Sequence, residues 1–232
     1  MKKDSRMDIF NKKVVFHIHT KYSHDSNLEP TLIVDTLFNR NISCAIITDH
    51  NSIKGAIEAK TYSDKMYGDK FNVIVGEEVK TDIGDIIGFP ISKEIQLVDH
   101  RTVISEIKSQ GGYVCLPHPY KSHNLFRIHD PEFLELIDFI EIFNGRTSEK
   151  LNNYANELAE KFNKKVIIGS DIHVKKELLN TYFIFNENLE IIESHKQHIS
   201  KRSYRTHQLM QNIKKKNVKE CVEYAFLAIL NK

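Results

Sequence analysis

The chain has 232 residues, with 33 Lys and Arg against 31 Asp and Glu and a formal net charge of +2, a balance from which no general affinity for nucleic acid follows, although the segment 196–219 is locally basic. That length suits a single α/β domain with a sizeable core. No apolar run approaches the ~20 residues of a membrane span, the charged N-terminus lacks the apolar core of a signal peptide, and three widely spaced cysteines, Cys44, Cys115 and Cys221, argue for reduced thiols in a cytoplasmic protein rather than a disulfide framework.

In chain order, apolar runs predict strands near 13–19, 43–49, 72–79, 84–89, 113–117, 138–143, 165–170 and 181–186. Between them Pro30 opens a helix carrying Leu32, Ile33, Thr36 and Leu37, and Ser52 caps one carrying Ile53, Ala56, Ile57 and Ala59. Asp99 caps a third, which Gly111-Gly112 terminates, and Thr147-Ser148 caps a fourth with Leu151, Tyr154, Leu158 and Phe162 on one face. From about 208 to 230 a rough apolar stripe predicts a last helix. We expect one domain over 1–232, in which residues 196–232 form a basic, helical extension packed on the rest. Repeated β-then-α units imply a parallel sheet or barrel whose carboxyl-terminal strand ends face one way.

The chemistry is concentrated at those ends. His17 and His19 close the first strand, and alternation puts both on one side. Asp49 and His50 close the second, Glu77 and Glu78 follow the third, His118 follows Val114-Cys115-Leu116-Pro117, and Asp171 and His173 close the run from Val166. Ligand-type side chains at five strand ends converge on one face and point to a metal site. Imidazoles hold ions such as zinc, iron or manganese, and a carboxylate can bridge two of them.

These motifs, His17-Ile18-His19, Thr48-Asp49-His50, Gly76-Glu77-Glu78, Pro117-His118-Pro119 and Ser170-Asp171-Ile172-His173, resemble in order those of the PHP family, the polymerase and histidinol phosphatase domain, from about Lys13 to Tyr182. The resemblance implies a distorted (β/α)7, TIM-like barrel and a phosphoesterase site with two or three divalent ions (Zn, Mn or Fe). It implies one ion on His17, His19, Glu78 and Asp171, a second on Glu78 and His118, and a third on Asp25, His50 and His173. The family's Gly-x-Glu selects Glu78 as the bridge, with Glu77 facing the other side of its strand. Ser23-His24-Asp25 matches a Ser-x-Asp after the first strand, so Asp25 is taken as a ligand and His24 as exposed or a substrate contact. Asp49 is expected either to bind metal weakly or, the commoner role for such an acid, to orient His50. Asp85 stands where many relatives carry histidine. It is expected either to ligate the second ion through oxygen, favouring manganese or iron over zinc, or to leave that ion dependent on substrate.

Among residues that bind no metal, Asn144 and Arg146 follow the strand 138–143. Arg146 is expected to contact phosphate, since its planar fork matches phosphate oxygens; the bland alternative is a surface salt bridge with an acid such as Glu149. His123, with Arg127 and His129 in the loop 120–130, is a further substrate-binding candidate. Glu141 shares the strand parity of Phe143 and is left out of the site. No Ser-His-Asp ordering, cysteine nucleophile signature or P-loop competes. The leading expectation is hydrolysis of a small phosphate ester, nucleotide or other metabolite, by a metal-activated water. A nuclease using the basic stretches 201–205 and 214–216 is the first alternative, and a non-catalytic metal-binding module the second. Neither a membrane nor a particular oligomeric state is called for.

Overall fold

The computed structural model describes residues 9–96, 98–121 and 130–214. The first apolar run forms β1 (Lys13–Ile18), followed by α1 (Pro30–Phe38), β2 (Cys44–Ile47), α2 (Lys54–Met66) and β3 (Asn72–Val75). β1, β2 and β3 pair in parallel. Pro30 occupies the first turn of α1, where its missing N–H costs nothing.

The strand expected over 72–79 is two. Gly76 separates β3 from β4 (Glu77–Thr81), and the chain changes sheets there. A Cβ on Gly76 would lie 3.1 Å from the Gly88 carbonyl oxygen and 3.2 Å from that of Ile47, so a side chain at the crossing would crowd two backbone carbonyls. β4 runs antiparallel to β5 (Gly84–Phe89), and β5 antiparallel to β6 (Tyr113–Leu116). β6, β7 (Phe139–Asn144) and β8 (Lys165–Gly169) are parallel. β9 (Thr181–Phe185) returns antiparallel to β1 and pairs with β10 (Ile191–Lys196).

The result is two mixed five-stranded sheets, in the orders β10-β9-β1-β2-β3 and β4-β5-β6-β7-β8. No closed barrel forms among the described residues, so the expected (β/α)7 closure is not seen there; sequence periodicity also does not reveal the antiparallel pairing of β4 with β5, β5 with β6 and β9 with β1. The sheets meet where the ligand-bearing strand ends lie, through single bridges between Ile18 and Ile172 and between His50 and Glu78. Hydrogen bonds from His19 N–H to the Ile172 carbonyl and from Glu78 N–H to the Asp49 carbonyl reinforce the junctions.

Phe16, Phe89, Phe139, Phe183 and Phe185 are fully buried in one apolar cluster that draws on both sheets. Each such side chain contributes roughly 1.5–3 kcal/mol. In α3 (His100–Ser109) Asp99 caps the Thr102 N–H, and Gly111 follows with φ +76°. Ser148 caps α5 (Glu149–Lys161) through the Leu151 N–H. A short α4 (Pro131–Glu135) precedes β7. The last described helix, α6 (Lys201–Lys214), starts earlier than the stripe from 208 suggested; the rest of that stripe and Cys221 lie outside the described residues. Cys44 and Cys115 are buried and unbridged.

Candidate metal centre

The local backbone turns the ligand-type side chains inward. β1 shifts register against β2 between Phe16 and Ile18, and His17 adopts φ +67°. His118 (φ +28°) and Asp171 (φ +54°) are likewise non-glycine residues with positive φ. Such conformations cost of order 1–3 kcal/mol each and persist where the surroundings fix them, as at functional sites.

Glu78 is central. Its Oε2 lies 3.2 Å from His17 Nε2 and 3.3 Å from both His19 Nε2 and His50 Nδ1, and its Oε1 lies 3.1 Å from His118 Nε2. Asp171 Oδ1 is 3.4 Å from His19 Nε2 and 3.8 Å from His17 Nε2. Asp25 Oδ2 is 2.8 Å from His173 Nε2 and 3.4 Å from His50 Nε2. Three sets therefore offer ligand atoms within 4.8 Å of one another: His17, His19 and Asp171; His17, Glu78 and His118; and His19, Asp25, His50 and His173. Compared with the assignment implied by the family, His17 reaches into two sets and His19 joins the third.

This donor set fits divalent cations. His17 Nδ1 faces Glu141 Oε1 at 2.8 Å and His173 Nδ1 faces the Asp171 carbonyl at 2.8 Å. Both acceptors fix the ring proton on Nδ1 and leave Nε2 free to ligate. Among the described residues His19 Nε2 and Asp25 Oδ1 are buried without a hydrogen-bond partner, as expected of atoms that hold an ion or water. Burial alone would raise the carboxyl pKa values. It is outweighed at Asp25 by His173 and His50, at Glu78 by His17 and His50, and at Asp171 by Lys121 and His17, so all three carboxyls are held well below their ordinary range. His19 is pushed down to about 4 by burial and His173. Burial would also lower His50, but Glu78 and Asp25 outweigh it and push His50 up to about 9. Ionised carboxylates and neutral imidazoles suit zinc, iron or manganese, and ions taking these nitrogens displace protons.

Other expectations need correction. Glu141 belongs to the site: fully buried, it holds His17 Nδ1 and accepts the His118 N–H at 2.7 Å. A register shift in β7 between Glu141 and Phe143 breaks the parity that excluded it. Gly169 makes room, since a Cβ there would lie 1.8 Å from Glu141 Oε1. Asn144 is fully buried and donates to Glu141 Oε2 at 2.9 Å, so it steadies that carboxylate instead of facing substrate. Asp49 does not orient His50; it accepts from Thr20 N–H and from Thr20 Oγ1 at 2.7 Å. The His50 N–H donates to Ser23 Oγ. Glu77 does face away, accepting the Ile95 N–H at 2.9 Å. His24 is exposed, with its ring 4.9 Å from that of His50.

Arg146 reaches the site but its guanidinium is engaged. Nη2 donates to both Glu177 oxygens at 2.9 and 2.7 Å, Nε to the Asp171 carbonyl and Nη1 to His207 Nδ1. Its side chain is 3% exposed and its acid is Glu177, not the Glu149 of the bland alternative. Asp85 lines the cleft over the ligand sets without joining them; burial and the Glu78 charge raise its pKa. His123, Arg127 and His129 lie outside the described residues. The cleft, about 330 Å³, has two contributors that sequence reasoning missed: Lys121, whose Nζ donates to Asp171 Oδ2 at 2.7 Å, and the α6 side chains Tyr204, His207, Gln208 and Gln211. Nothing in the periodicity of α6 distinguishes these polar positions from solvated ones.

Fold and site together define an α/β protein with a buried histidine–carboxylate metal-type centre at converging strand ends. Residues 16–115 match the PHP domain model. An uncharacterized protein of Methanocaldococcus jannaschii, MJ1587, is 34% identical over 166 residues, 64% of this chain and 95% of that protein. MJ0417 from the same organism, also uncharacterized, is 32% identical over 188 residues, 77% of this chain and 73% of its own. The fold is shared by a two-domain protein of Bacteroides vulgatus containing a predicted PHP-like metal-dependent phosphoesterase, with TM-score 0.62 and 20% identity over 74% of this chain. This chain spans 58% of that two-domain protein. The chain belongs to the PHP family.

Proposed function

We propose that the protein hydrolyses a small phosphate ester, a nucleotide or another phosphorylated metabolite, using two or three divalent ions. The observation that carries this reading is the sharing of Glu78 among four imidazoles, with carboxylates Asp25 and Asp171 on either side. Glu78 and His118 would hold one ion, His17, His19 and Asp171 another, and Asp25, His50 and His173 a third, since His17 and His19 each have only Nε2 free to ligate. Bound there, divalent ions supply an activated water at neutral pH and offset the charge on phosphoryl oxygens.

The chain's own residues do the rest. Glu141 fixes the His17 ring, and the buried carboxylates remain ionised and ready to ligate. Lys121 lines the cleft with its side chain 43% exposed and is better placed to meet a phosphate than Arg146, whose guanidinium is buried and fully engaged. A cleft of about 330 Å³ is the size of a small-molecule site. No described helix is long and apolar enough to cross a membrane, and the unbridged Cys44 and Cys115 fit a reducing, cytoplasmic setting.

The nuclease alternative has less support. α6 walls the cleft, and Lys214, from the basic stretch, turns its Nζ to the carbonyls of Ser23 and Ser26 instead of presenting it to a phosphate backbone. The near-complete ligand set argues against a non-catalytic module. A phosphate-release screen over nucleotides, bisphosphates and sugar phosphates with Mn2+ or Fe2+, run beside DNA and RNA degradation, tests the choice. Release from small esters without degradation is expected; degradation without release would favour the nuclease.

A further inference from the structure

His207 stands on α6, far from every motif of the metal centre, yet it lines the same cleft. Arg146 Nη1 lies 2.9 Å from its Nδ1. A guanidinium only donates, so Nδ1 must accept, and the single proton of the neutral ring must sit on Nε2. That Nε2 is buried and has no hydrogen-bond partner among the described residues, in a side chain 5% exposed. Buried donors are rarely left unmatched in folded proteins.

The ring is also held in place. Ser203, one turn earlier, donates to Glu177 Oε1 at 2.7 Å, and Lys214, two turns later, donates to the Ser23 carbonyl at 2.8 Å. Positions 203, 207 and 214 share one helix face, so α6 is pinned to the loops that deliver Asp25 and His173. The His207 ring packs on that of His173 with centroids 4.2 Å apart. With Nδ1 occupied by Arg146 and Nε2 protonated, His207 has no lone pair to offer an ion. What it offers is an oriented N–H beside the ligand sets.

Building on the phosphoester reading, we propose that His207 is a substrate-binding residue whose Nε2–H donates to a phosphoryl oxygen. Inorganic phosphate is the probe, titrated calorimetrically into zinc-loaded protein. His207→Phe keeps a ring but no donor, and its phosphate affinity should fall tenfold to a hundredfold, as for loss of a hydrogen bond to a charged group. His207→Gln, with an amide able both to accept from Arg146 and to donate, should stay within about threefold of wild type. Metal content should match wild type in both. Equal phosphate affinity in wild type and His207→Phe overturns the role.

A variant-free measurement guards against a misfolded mutant. Histidine ring nitrogen NMR of the zinc-loaded wild type should show His207 in its Nε2–H form, with that signal moving when phosphate is added. An Nδ1–H form, or no movement while phosphate binds, also overturns the role. If the metal-loaded wild type neither binds phosphate nor releases it from any ester, the phosphoester reading itself fails; a binding, active wild type with an unaffected Phe variant removes His207 alone.

Discussion

Arg146 shows how a single side chain changes meaning between sequence and structure. Its position after β7 suggested a free guanidinium for phosphate, but Glu177 grips it in a fully buried pair. Removing one partner of such a pair leaves an uncompensated buried charge and costs about 3–5 kcal/mol. We therefore expect Arg146→Ala to lower the denaturant midpoint markedly, measured by equilibrium unfolding; a shift in KM with unaltered stability would return Arg146 to substrate binding. Glu77 gives a pH signature. Burial pushes its pKa up to about 7, with the Ile95 N–H opposing and Glu94 adding to the rise. A group with a raised folded pKa gives stability that is complete below its unfolded value, near 4.5, and is lost as pH climbs through 7. Above pH 7, Glu77→Gln should be more stable than wild type by up to about 3 kcal/mol, and the gap should narrow as pH falls and close below about pH 4. A gap independent of pH would show that Glu77 does not titrate in this way.

At the scale of elements, the parallel strands were legible because each is a continuous apolar run, and the helices because Pro30, Asp99 and Ser148 announce their starts. The candidate ligand positions His17, His19, His50, Glu78, His118, Asp171 and His173 were legible for the same reason, since they terminate those runs. Bulges were not. Strand alternation placed Glu141 with Phe143, and only the irregular register of β7 against β8 brings its carboxylate to His17. β10 was missed because only Ile191 and Ile192 of it are apolar, and it lies exposed at a sheet edge. Gly169 held a usable clue: a strand glycine often marks close approach of another group, here the Glu141 carboxylate. Gly169→Ala should displace Glu141, free the His17 ring and weaken metal affinity about 10- to 100-fold, the usual effect of losing a group that orients a ligand. Metal titration of the variant checks this, and wild-type affinity would show that Glu141 does not orient His17.

For the whole molecule, the two sheets meet where their ligand-bearing ends meet, so the fold brings to one point residues separated by up to 156 positions, from His17 to His173. The apolar clusters run up to that point, with Phe16, Ile18 and Ile172 fully buried beside the ligand side chains, and the core rather than the ions should hold the chain together. The proposed function therefore makes metal a requirement of chemistry and not of folding. Its central claim is tested most directly by stripping the protein with chelator and titrating Mn2+ back, with bound metal and phosphate release from a small ester recorded together at each step. Release should be absent at the start, with the circular-dichroism spectrum unchanged, and should rise as the sites fill. Full release from the stripped protein, or filled sites with no release from any ester, would contradict the account.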